Sequence, residues 1–167
     1  MSDHSSGFDD VLAANEDYAA RFSIAGLPGE AARGLAIVTC MDSRIEPLAM
    51  LGLSAGDAKI LRNAGARVTD DVVRTLVLAR YLLNVERVMV VAHTRCRMAS
   101  GDSDAIHDAI RAAGGPDTDD IAFLTTDDQE ASLRSDIDKV RSSPYLPDLV
   151  VGGFLYDVDT GRLRQVC

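Results

Sequence analysis

Apolar residues in this chain follow two rhythms: short unbroken runs, and runs spaced by three or four positions. Leu35-Ala36-Ile37-Val38-Thr39-Cys40 is a continuous apolar stretch, the pattern of a strand buried on both faces. Arg87 to Ala92, centred on Val88-Met89-Val90-Val91, repeats it, and a shorter strand, Ala58 to Leu61, follows the turn Ser54-Ala55-Gly56-Asp57. Between and around these lie helical spacings. Asp9 to Phe22 carries Val11, Leu12, Tyr18 and Phe22, and Leu27-Pro28-Gly29-Glu30 then breaks the chain. Asp70 to Leu83 repeats Val72, Leu76, Ala79 and Leu83 at helical intervals, with Asp70 and Asp71 suited to its positive end. Cys96 to Ala113, stopped by Gly114-Gly115-Pro116, and Asp127 to Ser142, closed by Pro144, complete the predicted helices. The last strands, Leu149 to Asp157 and Arg162 to Val166, are joined by the hairpin signal Asp159-Thr160-Gly161.

Buried strands alternating with helices predict an α/β fold. Its central β-sheet is mostly parallel, in the order of about 2-1-3-4, with an antiparallel C-terminal edge strand and helices covering both faces. There is no internal repeat or linker, and 167 residues suit a single domain over 1–167 with a flexible start, Met1 to Gly7.

Charge narrows the possible partners. The formal net charge is −9, with acidic clusters at Asp117, Asp119 and Asp120 and at Asp127, Asp128 and Glu130. This balance excludes a nucleic-acid groove, which needs a basic stripe, and the clusters read as solvated loops and a helix start. No apolar run reaches the roughly 18 residues that would span a membrane, and the acidic N-terminus lacks the apolar core of a signal peptide. A cytoplasmic location is therefore expected. The count of 3 cysteines makes a poor disulfide framework, so cysteines near a histidine read as metal ligands or nucleophiles.

Two clusters carry that chemistry. Cys40-Met41-Asp42-Ser43-Arg44 stands where the first buried strand ends, and His93-Thr94-Arg95-Cys96 where the third ends. If the chain moves outward from strand one to strand two and returns beside one, strands one and three flank the reversal where α/β sheets bind ligands. Two thiolates and an imidazole are zinc ligands, and three of them leave a fourth tetrahedral position for water or substrate. Cys40, His93 and Cys96 are thus the expected metal set. Asp42 can either close that fourth position or turn away and orient a bound water, and the planar fork of Arg44 suits it to hold Asp42 off the metal. Rival readings remain open: ordinary buried thiols, a Cys40 nucleophile with His93 as base, or a structural zinc closed by Asp42. Arg62-Asn63-Ala64-Gly65-Ala66 reads as a pocket wall or turn; it lacks the lysine and glycine density of a phosphate loop. Cys167 and His4 sit near the termini, and His107 reads as a surface helix residue.

In this order, Cys40-Met41-Asp42-Ser43-Arg44, Arg62-Asn63-Ala64-Gly65 and His93-Thr94-Arg95-Cys96 resemble the β-class carbonic anhydrases, in particular the short prokaryotic members. The likeness extends to Asp70-Asp71-Val72-Val73-Arg74, Ser142-Ser143-Pro144 and Asp157-Val158-Asp159-Thr160-Gly161-Arg162-Leu163. The resemblance implies one Zn2+ per chain on Cys40, His93 and Cys96, and a zinc-bound hydroxide that attacks carbon dioxide to give bicarbonate. It implies Asp42 and Arg44 as a gating pair, and Asn63 and Gly65 in the substrate pocket. It also implies a homodimer or dimer-based assembly, with 9–22 reaching a neighbouring copy. One position departs: relatives typically carry glycine after the second zinc cysteine, and here Arg97 stands at the pocket. Relatives of the same fold hydrolyse carbonyl sulfide or carbon disulfide, so that chemistry is the alternative, followed by a zinc-bearing binding or regulatory module without turnover.

Overall fold

Strand β1 (Leu35–Cys40) is buried along its whole length and lies in the middle of the sheet, as its unbroken apolar run requires. It pairs in parallel with β2 (Ala58–Asn63) on one side and β3 (Arg87–His93) on the other. Strand β4 (Val150–Tyr156) runs parallel to β3, and the short β5 (Leu163–Gln165) folds back antiparallel along β4. The order is β2-β1-β3-β4-β5 in this computed structural model, which describes residues 7–99 and 101–167. This is the expected order and orientation. The expectation of a flexible start falls, except for Gly7, outside the described residues, as does His4.

Register fixes what meets at the sheet's carboxyl edge. Cys40 stands opposite Asn63, Thr39 opposite Val91, and His93 opposite Tyr156. The last residues of β1, β2 and β3 therefore emerge side by side, at the reversal between the first and third strands.

Helix α1 (Asp9–Ala19) buries none of its residues within the chain. Helix α2 (Asp70–Leu82) starts on Thr69, whose side chain accepts the Val72 N–H, and turns Val72, Leu76 and Ala79 into the core. Helix α4 (Gln129–Arg141) starts on Asp128, whose carboxylate accepts the Ala131 N–H at 2.9 Å, and buries Leu133, Ile137 and Val140. These side chains join Val38, Val88, Val90 and Val151 in the main core, each large aliphatic one contributing roughly 1.5–3 kcal/mol by leaving water. Helix α4 lies so close to β4 that a Cβ at Gly153 would come within 3.1 Å of Leu133 and 3.2 Å of Ile137.

Three expectations need correction. The helix expected over 96–113 breaks: a 3-10 turn covers Arg97–Ala99, and α3 (Ser103–Ala112) starts only after Asp102, whose side chain accepts the Asp104 N–H. Aspartate is a strong helix start, and it wins over a continuous apolar spacing. His107 is no plain surface residue: its ring meets Thr118 Oγ1 at 2.8 Å and tilts against Phe123 at 5.0 Å. Cys167, read as a mere terminus, packs against the main core, and its backbone carbonyl accepts the Gly153 N–H at 2.8 Å. Strands β2 and β3 run further than expected, taking in Arg62, Asn63 and His93, whereas β4 and β5 are shorter than Leu149 to Asp157 and Arg162 to Val166, and α1 stops at Ala19 and not at Phe22. Among the described residues no helix is long and apolar enough to cross a membrane.

Candidate metal centre

Cys40 at the end of β1, His93 at the end of β3 and Cys96 just beyond it are all buried. Their ligand atoms all lie within 4.8 Å of one another, with the two sulfurs 4.0 Å apart. Two metal–sulfur bonds of about 2.3 Å at the tetrahedral angle put their sulfurs about 3.8 Å apart, so the pair is spaced to share one ion. The imidazole points the same way. His93 Nδ1 lies 2.9 Å from Thr94 O, so the ring donates from Nδ1 and leaves a lone pair on Nε2. Among the described residues, His93 Nε2 is the one buried side-chain N or O atom without a hydrogen-bond partner. A buried polar atom without a partner needs an explanation, and a cation facing two thiols supplies it.

The thiols are electrostatically unequal. Cys96, acting as donor, holds the Cys40 thiol well below the ordinary range against the opposing effect of burial; His93 and the Gly65 N–H, 3.4 Å from Cys40 Sγ, add to it. The Cys40 partner and burial push Cys96 upward in turn. Burial acts to lower His93, but its contact with Cys40 outweighs this and the net direction is up.

Gly65 reaches Cys40 because it stands at φ 83, and a Cβ there would meet Met98 Cβ at 3.2 Å. Asn63 holds this turn: its side chain donates to Arg67 O at 2.7 Å and accepts the Arg67 N–H at 2.9 Å. Its polar atoms thus serve the turn, while Gly65 lines a cavity of about 10 Å³ beside Cys96, with Ala92, Met98 and Gln129 among its walls. Arg97 is exposed and lines a separate groove with Met98, Ile106 and Ile110. The left-handed residue of this loop is Arg95, at φ 53.

Asp42 and Arg44 form a fork. Asp42 Oδ1 accepts Arg44 Nε at 2.9 Å and the Arg44 backbone N–H at 3.0 Å, and Oδ2 accepts Nη2 at 2.7 Å. The Arg44 guanidinium holds the Asp42 carboxyl well below the usual carboxylate range. Oδ2 lies 3.9 Å from His93 Nε2, at the candidate centre yet outside hydrogen-bond reach.

Some supports had no role in the sequence reading. Arg62 straps the first cluster, donating to Cys40 O at 3.0 Å and Asp42 O at 2.6 Å. Gln129, the first residue of α4, donates to His93 O at 3.0 Å. Arg62 lay inside a motif already singled out; no local signal marks Gln129. Deeper in, Arg67 Nε pairs with the buried Asp136 at 2.7 Å.

Comparison with known proteins agrees with this geometry. A family model described as carbonic anhydrase matches residues 35–163. The chain is 37% identical over 165 residues to beta-carbonic anhydrase 1 of Mycobacterium tuberculosis (strain ATCC 25618 / H37Rv), covering 95% of this chain and 96% of that one. It is 30% identical over 164 residues to a carbon disulfide hydrolase of Acidithiobacillus thiooxidans, covering 83% of this chain and 75% of that one. The crystal structure of carbonic anhydrase from Streptococcus mutans matches with a TM-score of 0.89 at 42% identity, covering 96% of this chain and 97% of that one. With its strand order, its buried Cys-His-Cys cluster and this likeness over nearly its whole length, the chain belongs to the β-carbonic anhydrase family.

Proposed function

We propose that this chain hydrates carbon dioxide reversibly to bicarbonate and a proton, at a zinc ion held by Cys40, His93 and Cys96. The observation that carries this reading is His93 Nε2, buried and without a partner beside two thiols 4.0 Å apart. Zinc held there would supply Lewis acidity and lower the pKa of a water it binds.

The chain's own residues do the rest. Two N–H donors occupy Asp42 Oδ1, and Oδ2 retains accepting capacity on the side facing the centre. That oxygen accepts a hydrogen bond from the reacting water and so orients it towards the substrate carbon. Arg44 keeps the carboxylate ionised and, by engaging both oxygens, holds it off the metal. Arg62 and Gln129 fix the backbones that carry Cys40 and His93, so ligand geometry survives turnover. Gly65, beside Cys96 in the small cavity, leaves the substrate side without a Cβ. Asn63 shapes that wall through the turn, and Met98 stands between this cavity and the groove that Arg97 lines.

The same reading includes a homodimer. Helix α1 buries nothing in its own chain, yet Phe8, Val11, Leu12, Tyr18 and Phe22 around it are all about half exposed or more. A second copy is the occupant that suits this apolar face. Ligand thiols need a reducing compartment, which favours the cytoplasm.

A second reading, hydrolysis of carbonyl sulfide or carbon disulfide at the same centre, draws on the carbon disulfide hydrolase relative and on Met98, a soft, polarisable side chain in the cavity wall. The test is metal analysis of freshly purified protein, followed by rates with carbon dioxide, carbonyl sulfide and carbon disulfide side by side. About one zinc per chain and rapid carbon dioxide hydration are expected. Turnover of the sulfur compounds alone would replace the first reading with the second, and a folded protein without metal would end both.

A further inference from the structure

The two residues between His93 and Cys96 are held from outside their own loop. Thr94 N–H donates to Tyr156 O at 2.9 Å, and Thr94 Oγ1 accepts the Val158 N–H at 3.1 Å. The same hydroxyl donates to Asp157 Oδ1 at 3.4 Å. Asp157 in turn organises the β4–β5 turn, accepting the Asp159 N–H at 2.9 Å on Oδ1 and the Thr160 hydroxyl at 2.8 Å on Oδ2. Asp159 pairs with the Arg95 side chain. A half-buried carboxylate thus ties the C-terminal hairpin to the loop between two candidate ligands.

The next link is backbone conformation. Arg95 stands at φ 53, where side chains other than glycine seldom sit, so its neighbours must hold it there. In that state its carbonyl oxygen accepts Arg44 Nη2 at 3.3 Å, the nitrogen that also donates to Asp42 Oδ2 at 2.7 Å. Arg44 is therefore fixed from two sides: by Asp42, two residues away, and by a loop from the next strand. The Arg95–Asp159 pair is 61% and 55% exposed and cannot hold the loop alone. Asp157, less exposed and engaged at both oxygens, is the fixed end of the chain of contacts.

We propose that Asp157 is a positioning residue for the Asp42–Arg44 pair, acting through Thr94 and the left-handed carbonyl of Arg95. When Asp157 is lost, the loop relaxes, the Arg95 carbonyl withdraws, and Arg44 keeps only its bonds to Asp42. The kinetic consequence rests on the carbon dioxide reading; the consequence for Arg44 does not.

The experiment uses full-length, metal-loaded protein and the side-chain Nη2–H proton of Arg44 that faces Arg95 O, followed by NMR. In Asp157→Ala, exchange of that proton with water should rise about tenfold, and carbon dioxide turnover should fall by a similar factor with metal content unchanged. Asp157→Asn should restore most of both, because its amide oxygen still accepts from Thr94 and Asp159. In an Arg44→Ala background, adding Asp157→Ala should change turnover by no more than about twofold, since the two act in series. Thr94→Val, close in shape but without the hydroxyl, serves if Asp157→Ala fails to fold, and should raise Arg44 exchange likewise. Unchanged Arg44 exchange in Thr94→Val and in any folded Asp157→Ala would overturn the proposal, as would fully additive losses with Arg44→Ala. If the wild-type protein turns over no substrate, the carbon dioxide reading fails and the exchange measurement alone decides this one.

Discussion

Cys40 Sγ and Cys96 Sγ lie 4.0 Å apart although 56 positions separate them along the chain. The sheet brings them together: β1 and β3 are neighbours running in the same direction, and each delivers its cluster at the same edge. Two thiols and an imidazole whose Nε2 lacks a hydrogen-bond partner, in so small a space, make a site whose stability depends on what fills it.

Metal removal is expected to lower the melting temperature of the wild-type protein by several degrees, because a bound ion stabilises only the folded state. Cys96→Ala should melt lower to begin with and respond little to a chelator. Equal chelator effects on both proteins, followed by calorimetry, would contradict the shared-ion geometry.

Arg44→Ala removes the fork that holds Asp42. Carbon dioxide turnover should fall by about 10- to 100-fold while zinc content stays near the wild-type level, as for other groups that support metal ligands. Arg44→Lys should restore little, since an ammonium lacks the planar pair of donors that meets both carboxylate oxygens. Stopped-flow rates and metal analysis on the same samples check both statements.

Gly65→Ala places a methyl group at φ 83 and 3.2 Å from Met98 Cβ. Strain of about 1–3 kcal/mol is expected, read as loss of stability in urea. Activity should fall beyond that loss, because the Gly65 N–H that supports Cys40 moves with the turn.

Asp136→Ala leaves Arg67 unpaired beside the cavity. Asp136 is 5% exposed, and removing one member of a pair this deep costs about 3–5 kcal/mol. Urea denaturation should show it. Replacing both residues by apolar ones of similar volume should recover part of the stability, and failure to recover any would mean that Arg67 matters mainly through its bond to Leu124 O.

Asp70 at the start of α2 accepts Lys139 from α4 at 2.8 Å, and this bond holds its carboxyl below the usual carboxylate range. A depressed folded-state pKa means that the pair stabilises above the ordinary aspartate value near pH 4, and that the contribution disappears as pH falls through the folded value. A double-mutant cycle on Asp70 and Lys139 should show a small coupling at about pH 7, weaker in high salt and absent in strong acid. Coupling that grows on acidification would reverse the sign of this argument.

Several features were legible in the sequence because their causes are local. The unbroken apolar run before Cys40 predicts a central strand, whatever packs on it. The aspartates ahead of Val72 predict a helix start, and the spacing of His93 and Cys96 allows one turn to present both. The 96–113 segment shows where local reasoning fails: apolar spacing continues past Cys96, but Asp102 restarts the helix and releases the loop for the site.

Chain order and residue chemistry by themselves determined the sheet's membership and its parallel character, and marked out the three side chains expected to grip a cation. Only the tertiary structure decided how the ligands are aimed and braced: the left-handed Arg95, the strap from Arg62, the Gln129 amide on His93, the link from Asp157 to Thr94. Those contacts join residues tens of positions apart. Their geometry depends on strand register and on helix placement against the sheet, quantities that no window of sequence contains.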